Sequence, residues 1–568
     1  MEQKNQLLKE SVQMVYRLSD KTVGYAEKVD NCWNYSIFAM DRNVSYLNEL
    51  HAGYIQGKLQ GEGMLKAARN NTWKNLYLTD TSHTFPRQCP PSKDELLATE
   101  DLLRENLSRL FEWICDPGNK KSKVADDIFR LYLRMEGIYQ GATGYEEPVI
   151  ISFDDDSVDG SSLSKEKYKL EAKDKLRKMT ELPLGYGNDP LSFLDVYFIN
   201  AQMDLADAVA QSHESKYGLY KSDHCSAFLK RTGDDIFWTH NSWCGFLTQS
   251  MTVSYSIYDY DVRKKESERV DFVTQNCYCA GQFGSNMDFG FNKYGICFNE
   301  TTHRYSRNQP KKLSVWLCWR AAAAEMFAKS IDEFYEYLTV ANSGTYLNGY
   351  MVIDANTNQT ALIEMSYKRF VKFLSDGKSL SVTERIGGEE RVVTDDRYDH
   401  ELITPEYIFG VNYPVSNDVA EDLESTDNRP MRRIQFKEQI ETVVDMESAR
   451  NLITYVGKDK RGKEEPLSIF GRWDLGYGTT EYPKNIADGA VDAKAYSTKK
   501  VRELLADLNF QPNAESVKTS FWMRFGTPEI NGEPFVWNKS RWIDFWDKYS
   551  AVPNRLEGNW NETKLFMD

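Results

Sequence analysis

Residues 225–243 read CSAFLKRTGDDIFWTHNSW, in which two short apolar segments flank a polar stretch with one glycine. This pattern is typical of a β-hairpin, two strands that pair across a tight turn. A two-residue turn at 232–233 would place Cys225 directly opposite His240, and facing Cβ atoms lie roughly 5 Å apart. A thiol beside an imidazole is the pair that thiol nucleophiles use. We therefore expect a thiol site at the open end of this hairpin, unless the register slips by one residue and separates the two faces.

The composition limits the classes of partner. The chain has 568 residues, a formal net charge of −15 and a sequence pI near 5.2. Binding to a nucleic-acid backbone calls for clustered Lys and Arg, which this charge balance does not favour. The net negative charge also does not favour binding to an anionic membrane surface through clustered basic residues. We predict no nucleic-acid partner, and the length allows two large parts.

The evidence on cellular location is mixed. No apolar run reaches the roughly 18 residues of a membrane helix, so we predict no membrane span. The first residues, MEQKNQ, lack the apolar segment of a signal peptide. Eight Asn-x-Ser/Thr sequons favour a lysosomal or secreted glycoprotein numbered from its mature start, with a cytosolic protein as the alternative. The sequons lie at Asn34, Asn43, Asn70, Asn106, Asn299, Asn358, Asn538 and Asn561. Nine cysteines are too few for a disulfide scaffold.

Two parts of the chain differ in their periodicity. Helical spacing dominates the front part, 1–224, for example at 123–139 and 192–211. Within 225–568, β-rich segments with interspersed helices predict an α+β fold of stacked layers. A polar and charged stretch at 154–178 is expected to form an exposed, cleavable loop.

A series of short motifs resembles the phospholipase B-like family of N-terminal nucleophile hydrolases. Each motif is short, but together and in this order they are specific. They are Ala52-Gly-Tyr-Ile-Gln-Gly57, Ile199-Asn-Ala-Gln-Met-Asp-Leu205, Cys225-Ser-Ala, His240-Asn-Ser-Trp243, Glu300-Thr-Thr302, Asn342-Ser-Gly-Thr-Tyr346, Asn412 in Val-Asn-Tyr-Pro, and Gly489-Ala-Val-Asp-Ala-Lys494.

The resemblance implies an αββα sandwich over 225–568, two antiparallel sheets between helical layers, with the helical segment 1–224 packed on this core after self-cleavage. It also implies a hydrolase of acyl ester or amide bonds, whose substrate is a phospholipid or an N-acylated small molecule. Such chemistry needs no cofactor and no metal. A monomer and a homodimer both stay open.

The implied chemistry begins with cleavage of the peptide bond between His224 and Cys225 by the Cys225 thiol. An N-to-S shift gives a thioester, and water then releases the upstream segment. The freed α-amine titrates near ~7.7–8.0 before burial, so it can act as the base. By resemblance, His240 orients the thiol or binds substrate, and Asn412 donates its amide to the oxyanion.

Further side chains are implied to bind substrate. They are Trp243, Thr301, Thr302, Arg429 and Arg432. The two arginines are alternatives, because the family's arginine falls on Met431 when the flanking residues are aligned. Each residue also has a structural interpretation: core packing for the tryptophan, ordinary strand positions for the threonines, and a solvated helix end for the arginines.

Two rival functions stay open. One is acyl transfer to an amine acceptor instead of water, and the other is a non-catalytic protein that binds lipid or glycan through the same fold. Other catalytic classes lack their motifs: there is no Gly-x-Ser-x-Gly elbow, and the spacing of Cys277 and Cys279 does not fit a structural zinc site.

Overall fold

The structure is a computed structural model, and the fold that it shows is α+β, as predicted. The structure describes residues 14–29, 32–39, 45–77, 91–119, 122–149, 162–212, 225–242, 253–256, 273–277, 279–285, 288–303, 314–425, 430–457, 468–470, 492–507, 516–525, 535–536, 555–556 and 560–567.

The helices are numbered in chain order. They are α1 (Ser45–Tyr77, kinked at Gly61), α2 (Lys93–Cys115), α3 (Lys123–Ala142), α4 (Ser162–Met179), α5 (Phe193–Asn200), α6 (Gln202–Ser212), α7 (Leu317–Phe327), α8 (Ile331–Thr339), α9 (Asn417–Asp422), α10 (Pro430–Gln439), α11 (Met446–Ile453) and α12 (Thr498–Asp507). Short 3-10 turns lie at Asp395–Arg397 and Ile440–Thr442.

The strands are numbered in the same way. They are β1 (Met14–Ser19), β2 (Thr22–Val29), β3 (Cys32–Ala39), β4 (Ser226–Thr232), β5 (Asp235–Ser242), β6 (Val253–Ser256), β7 (Val273–Cys277), β8 (Phe289–Asn292), β9 (Ile296–Thr302), β10 (Asn348–Asp354), β11 (Gln359–Met365), β12 (Arg369–Ser375), β13 (Leu380–Ile386), β14 (Glu389–Val392), β15 (Tyr407–Gly410), β16 (Asp492–Ser497), β17 (Ser516–Phe525), β18 (Phe535–Val536), β19 (Arg555–Leu556) and β20 (Trp560–Met567).

Most of the strands form two sheets. The large sheet has the order β1-β2-β3-β6-β7-β8-β9-β10-β11-β12-β13-β14, and the small sheet has the order β15-β4-β5-β16-β17-β20. Neighbours are antiparallel except for β3 and β6, which pair in parallel. A separate two-stranded sheet joins β18 to β19.

The two sheets face each other, and helices cover their outer sides. Trp238 of β5 stacks on Phe289 of β8 with ring centroids 5.4 Å apart. Asn299 of β9 donates its side-chain amide to the Thr239 carbonyl at 2.9 Å. Helices α1 and α7 pack on the large sheet, while α11 and α12 pack on the small one. The layers therefore follow the order helix, sheet, sheet, helix.

The prediction of a helical segment over 1–224 missed three strands. The front part does contain α1 to α6, but β1, β2 and β3 precede them and extend the large sheet. In β3 the sequence CWNYSIFA is rich in aromatic and β-branched residues, which favour a strand. Because α1 covers β2 and β3, the front part contributes to both the outer layer and the sheet.

Glycines allow α1 and α3 to approach backbone to backbone. A Cβ atom on Gly53 would lie 2.0 Å from the carbonyl oxygen of Arg134, and one on Gly137 would lie 2.1 Å from that of Leu50. Both distances are far inside van der Waals contact, so larger residues would push the helices apart. The glycines of the motif at 52–57 therefore serve helix packing.

The expected loop at 154–178 is wrong for most of its length, because residues 162–179 form α4. Lys, Glu, Leu and Ala are strong helix formers, and a helix can expose its charges while burying one side. Ala172 and Leu176 are buried, and Lys169 pairs with Asp126. High charge therefore did not mean absence of structure. The start of the stretch, before residue 162, lies outside the described residues.

The hairpin exists, but its predicted register is wrong. The turn consists of residues 233–234, and Gly233, the first of them, adopts φ 64°, as a primed hairpin turn requires. His240 therefore pairs with Ala227 and not with Cys225. The pairing moves by two residues, an even number, so Cys225 and His240 still share one face of the sheet.

Half of the predicted glycosylation sequons are inaccessible. The buried asparagines are Asn34, Asn70, Asn106 and Asn299. Asn106, for example, donates to the Ser314 carbonyl at 3.0 Å and accepts from the Tyr197 hydroxyl. The folded chain has no room for a glycan at these positions. The sequons thus support a lysosomal or secreted protein less than their number suggested, and location stays a prediction.

Candidate functional site

The inner face of the hairpin is the face that points towards the large sheet. Alternate residues of β5 lie on it, including Trp238 and His240, since side chains alternate along a strand. Trp238 packs on the large sheet, and His240 lies beside the backbone of Glu300 in β9. Cys225 directly precedes β4 and lies on the same inner face, at the mouth of the hairpin.

Three reactive groups meet at this point, and we call them the thiol cluster: Cys225, His240 and Asp288. The Sγ atom of Cys225, a ring nitrogen of His240 and a carboxylate oxygen of Asp288 lie within 4.8 Å of one another. All three side chains are buried. The thiol and the imidazole are neighbours, as the hairpin predicted, and Asp288 adds a carboxyl group. The same set of groups could hold a divalent metal ion.

The imidazole of His240 is neutral in this setting. Burial, and after it the charge of Lys494, hold the pKa of His240 well below its ordinary value. Although the ring lies near the Glu300 backbone, neither ring nitrogen makes a hydrogen bond of normal geometry to a described residue. A buried ring without bonded partners can accept a proton or a bond from a group that arrives later.

Asp288 forms a carboxyl pair with Glu300. Burial raises the pKa of Asp288 well above its usual range, and the nearby charge of Glu300 raises it further. Burial also raises the pKa of Glu300 to about 7, although hydrogen bonds from Tyr346 and other groups oppose this. Because two buried carboxyl groups in contact cannot both ionise readily, the pair retains a proton near neutral pH. Asp288 also adopts a left-handed backbone conformation, with φ 57°.

The two predicted threonines face different neighbours. The Thr302 hydroxyl lies within hydrogen-bond distance of Glu300, at 3.3 Å, and of the Tyr346 hydroxyl, at 3.1 Å, so it belongs to the network around the carboxyl pair. Thr301 packs against the end of β15, where a Cβ on Gly410 would lie only 2.5 Å from its Cγ2. Both threonines are buried close to the site.

Asn412 follows β15 and has an unusual backbone conformation for a residue other than glycine, with φ 60°. Its side-chain nitrogen donates to the Thr302 carbonyl at 2.8 Å, and its side-chain oxygen accepts from Arg432 at 3.0 Å. One amide N–H of Asn412 is therefore occupied, and the second hydrogen on the same nitrogen is the group that an oxyanion would use.

Arg432 holds the backbone at Cys225 in place. Its Nη1 atom donates to the carbonyl of Cys225 and to the Ser226 hydroxyl, the latter at 3.2 Å. Its Nη2 atom donates to the Val411 carbonyl. The sequence suggested a substrate- or carboxylate-binding role, but these nitrogens contact the protein. We therefore infer that Arg432 positions Cys225 and Asn412.

A buried ion pair closes the other side of the cluster. Lys494 of β16 pairs with His240 in the sheet, and its ammonium group contacts Asp492 at 2.8 Å and the Ser242 hydroxyl at 2.7 Å. Two charged residues at alternate positions of an apolar strand share one face. That spacing could have identified Lys494 as a site residue from the sequence, whereas no local pattern distinguishes Asp288.

Three of the predicted site residues lie outside the described residues. They are His224, Trp243 and Arg429. Their roles at the cleavage point, the pocket wall and the substrate stay predictions.

The fold and the site together describe an α+β protein with a buried thiol between two sheets. The phospholipase B family model matches residues 161–554, more than half of the chain. The chain therefore belongs to the phospholipase B family, as the motifs predicted.

Individual relatives are distant. Phospholipase B-like 1 of Rattus norvegicus is 29% identical over 179 residues, which cover 29% of this chain and 32% of that protein. Phospholipase B of Crotalus adamanteus is 25% identical over 396 residues, 61% of this chain and 65% of that protein. Phospholipase B-like protein B of Dictyostelium discoideum is 22% identical over 406 residues, which cover 65% of this chain and 64% of that protein. The match covers less than two thirds of each of these relatives. None of the described helices has the length and apolar character needed to cross a bilayer.

Proposed function

We propose that the chain is a self-processing hydrolase of acyl ester or amide bonds, with Cys225 as its nucleophile. The observation that carries this proposal is the meeting of thiol, imidazole and carboxyl groups within 4.8 Å at the start of β4. Membership of the phospholipase B family supports an acyl substrate, a phospholipid or an N-acylated small molecule. A lysosomal or secreted location fits this function.

Self-cleavage begins when the Cys225 sulfur attacks the carbonyl carbon of His224. The carbon–nitrogen bond breaks and a thioester forms. The released nitrogen takes up the thiol's proton and becomes the α-amine of Cys225. Water then hydrolyses the thioester, which leaves a carboxyl group on His224 and a thiol on Cys225. This order of steps gives the nucleophile an amine base on its own residue.

The carbonyl of Cys225 is already held by Arg432, which supports this mechanism. A fixed backbone keeps the thiol in place while the adjacent peptide bond breaks. Asn412, held by Arg432 and by the Thr302 carbonyl, presents its remaining amide hydrogen to the oxyanion. Removal of such a donor typically costs ~3–4 kcal/mol of transition-state stabilisation.

The hydrolysis of substrate repeats the same chemistry. The amine of Cys225 takes the thiol proton, the sulfur attacks the acyl carbon, and the alcohol or amine of the substrate leaves with that proton. Water then releases the acyl group as a carboxylic acid. Neutral His240 orients the thiol, and the Asp288–Glu300 pair holds a proton close by.

The test is intact-mass spectrometry and N-terminal sequencing of the purified chain incubated between pH 4 and 8. We expect a fragment that begins Cys-Ser-Ala in the wild type and none in Cys225→Ala. Cys297→Ala is the matched control, because Cys297 is also buried but is not in the thiol cluster. A wild type that stays at 65.7 kDa at every pH contradicts self-processing and favours a non-catalytic binding protein.

A further inference from the structure

We propose that the thiol cluster is a binding site for one zinc-class divalent cation, which blocks the nucleophile. The site needs only Cys225, His240 and Asp288, so it does not depend on self-cleavage. Thiolate, imidazole and carboxylate are the three kinds of side chain that bind Zn²⁺ in proteins. Three protein ligands with one open position are typical of a zinc site that exchanges its fourth ligand.

The geometry lies close to what the cation needs. Zinc bonds of about 2.3 Å to sulfur and about 2.0 Å to nitrogen or oxygen set the ligand atoms roughly 3.5 Å apart in a tetrahedron. In the structure these atoms lie within 4.8 Å of one another. Side-chain rotations that move each atom by about 1 Å suffice to close the site.

Atoms without hydrogen-bond partners are an independent indication of a ligand. Among the described residues, neither ring nitrogen of His240 nor the Oδ2 atom of Asp288 makes a hydrogen bond of normal geometry, although both side chains lie beside Glu300. Both side chains are buried, with exposed fractions of 0% and 3%. A buried polar atom without a partner is costly and calls for an explanation, and a bound cation supplies one.

The surroundings provide the outer contacts of a metal site. A metal-bound histidine commonly directs its second ring nitrogen to a backbone carbonyl or carboxylate, and His240 lies beside the Glu300 backbone. Asp288 contacts the Glu300 side chain in turn. Two positive charges lie nearby: Lys494 is paired with Asp492 at 2.8 Å, and the Arg432 guanidinium is held by the Cys225 and Val411 carbonyls. A cation therefore enters a region with an excess of carboxyl groups.

Space for the fourth ligand lies next to Asp288. A cavity of about 20 Å³, lined by Ser285, Asp288, Glu325 and Tyr346 among others, adjoins the cluster. This volume holds about one water molecule. Binding replaces the thiol proton, which passes to solvent, with a sulfur–metal bond. The proton of the carboxyl pair stays on Glu300, so that Asp288 binds as a carboxylate, and the metal releases water from its own shell. The sulfur lone pair is then no longer available for attack.

The experiment is a Co²⁺ titration of the full chain, monitored by the sulfur-to-cobalt charge-transfer band, followed by competition with Zn²⁺. We expect one equivalent to bind in the wild type. Cys225→Ser should abolish the band, and Asp288→Asn should weaken Co²⁺ binding at least about tenfold, the lower range for loss of a supporting metal contact. Cys318→Ala, which removes a thiol that lines the neighbouring cavity, should leave the titration unchanged.

A second measurement avoids dependence on the folding of variants. Zn²⁺ should protect Cys225 of the wild type from alkylation, read by peptide mass spectrometry, while Cys115 reacts equally with and without zinc. A missing charge-transfer band, a band that survives Cys225→Ser, or alkylation of Cys225 unaffected by zinc overturns the metal site. None of these outcomes bears on self-cleavage, which is measured on the metal-free chain.

Discussion

Asn241 and His240, neighbours on opposite faces of the β4–β5 hairpin, differ in their hydrogen bonding. On the outer face, Asn241 donates to the carbonyls of Ile453 and Ile469 at 2.9 and 3.0 Å and accepts from the Ser226 amide at 2.9 Å. On the inner face, His240 makes no hydrogen bond of normal geometry to a described residue. The Asn241 side chain is hydrogen-bonded and serves stability, whereas the His240 ring is left unsatisfied and suits chemistry.

The largest expected effect is on the inner face. His240→Phe keeps the ring volume but removes the imidazole that orients the thiol, so we expect turnover of an acyl substrate to fall about 100-fold, as misplacement of a reacting group does. Because His240 has no bonded partners to lose, the midpoint of urea unfolding should stay the same or rise. Initial rates and urea melts of the two proteins measure both effects. A variant that unfolds much more easily shows that the inner face is structural after all.

On the outer face, we expect a substitution to lower stability. Asn241→Ala leaves the Ile453 carbonyl and the Ser226 amide without a partner in the core, while the Ile469 carbonyl still accepts from the Ser226 hydroxyl at 2.9 Å. We therefore expect a loss of about 2–4 kcal/mol of unfolding free energy. Asn417→Ala is the control: this residue is half-buried at the start of α9, and its side chain makes only a long hydrogen bond of 3.5 Å to the Asp396 carbonyl, so the change should be less than about 0.5 kcal/mol. Chemical denaturation measures both. If Asn241→Ala folds as stably as the wild type, the distinction between the two faces fails.

The Asp288–Glu300 carboxyl pair should make the stability of the folded chain depend on pH. The pKa of Glu300 is raised in the folded state, so the folded chain holds more protons than the unfolded chain between about pH 4.3 and 7. Stability therefore falls as the pH rises through this window and levels off above it. Glu300→Gln should flatten the curve, measured as melting temperature against pH. An equally steep fall in the variant assigns the proton to another group.

The smallest effect tests the hairpin as a whole. Gly233 adopts φ 64°, so Gly233→Ala should cost about 1 kcal/mol, and Gly233→Asn should cost less because asparagine tolerates this conformation. Neither change touches one face selectively, so cleavage should remain at the wild-type rate when measured well below the melting temperature. A specific loss of cleavage in both variants would show that the turn affects the thiol directly.

The sequence predicted the class of fold and the approach of Cys225 to His240, but not the register that produces it. Strand alternation carried that prediction, because a shift of two residues preserves the face. It missed β1 to β3, which pair mainly with one another and join the rest of the sheet only where β3 meets β6. It also misjudged α4, where charge was taken as a sign of exposure.

The site shows a similar limit. Lys494 could have been singled out, since Asp492 and Lys494 alternate within an apolar strand. Asp288 could not, because it reaches the thiol only through the packing of one sheet on the other. Arg432 was predicted near the site, but its role as a positioning residue depends on its contact with the Cys225 carbonyl, which no local pattern encodes.

The most direct test of Cys225 as an amine-bearing nucleophile is mass spectrometry of the chain quenched in acid during turnover of an isotopically labelled acyl substrate. We expect a peptide that starts at Cys225 and carries the labelled acyl group on its sulfur. Labelled acyl groups found only on another residue, or a Cys225 peptide still joined to His224 in the active protein, would contradict the mechanism.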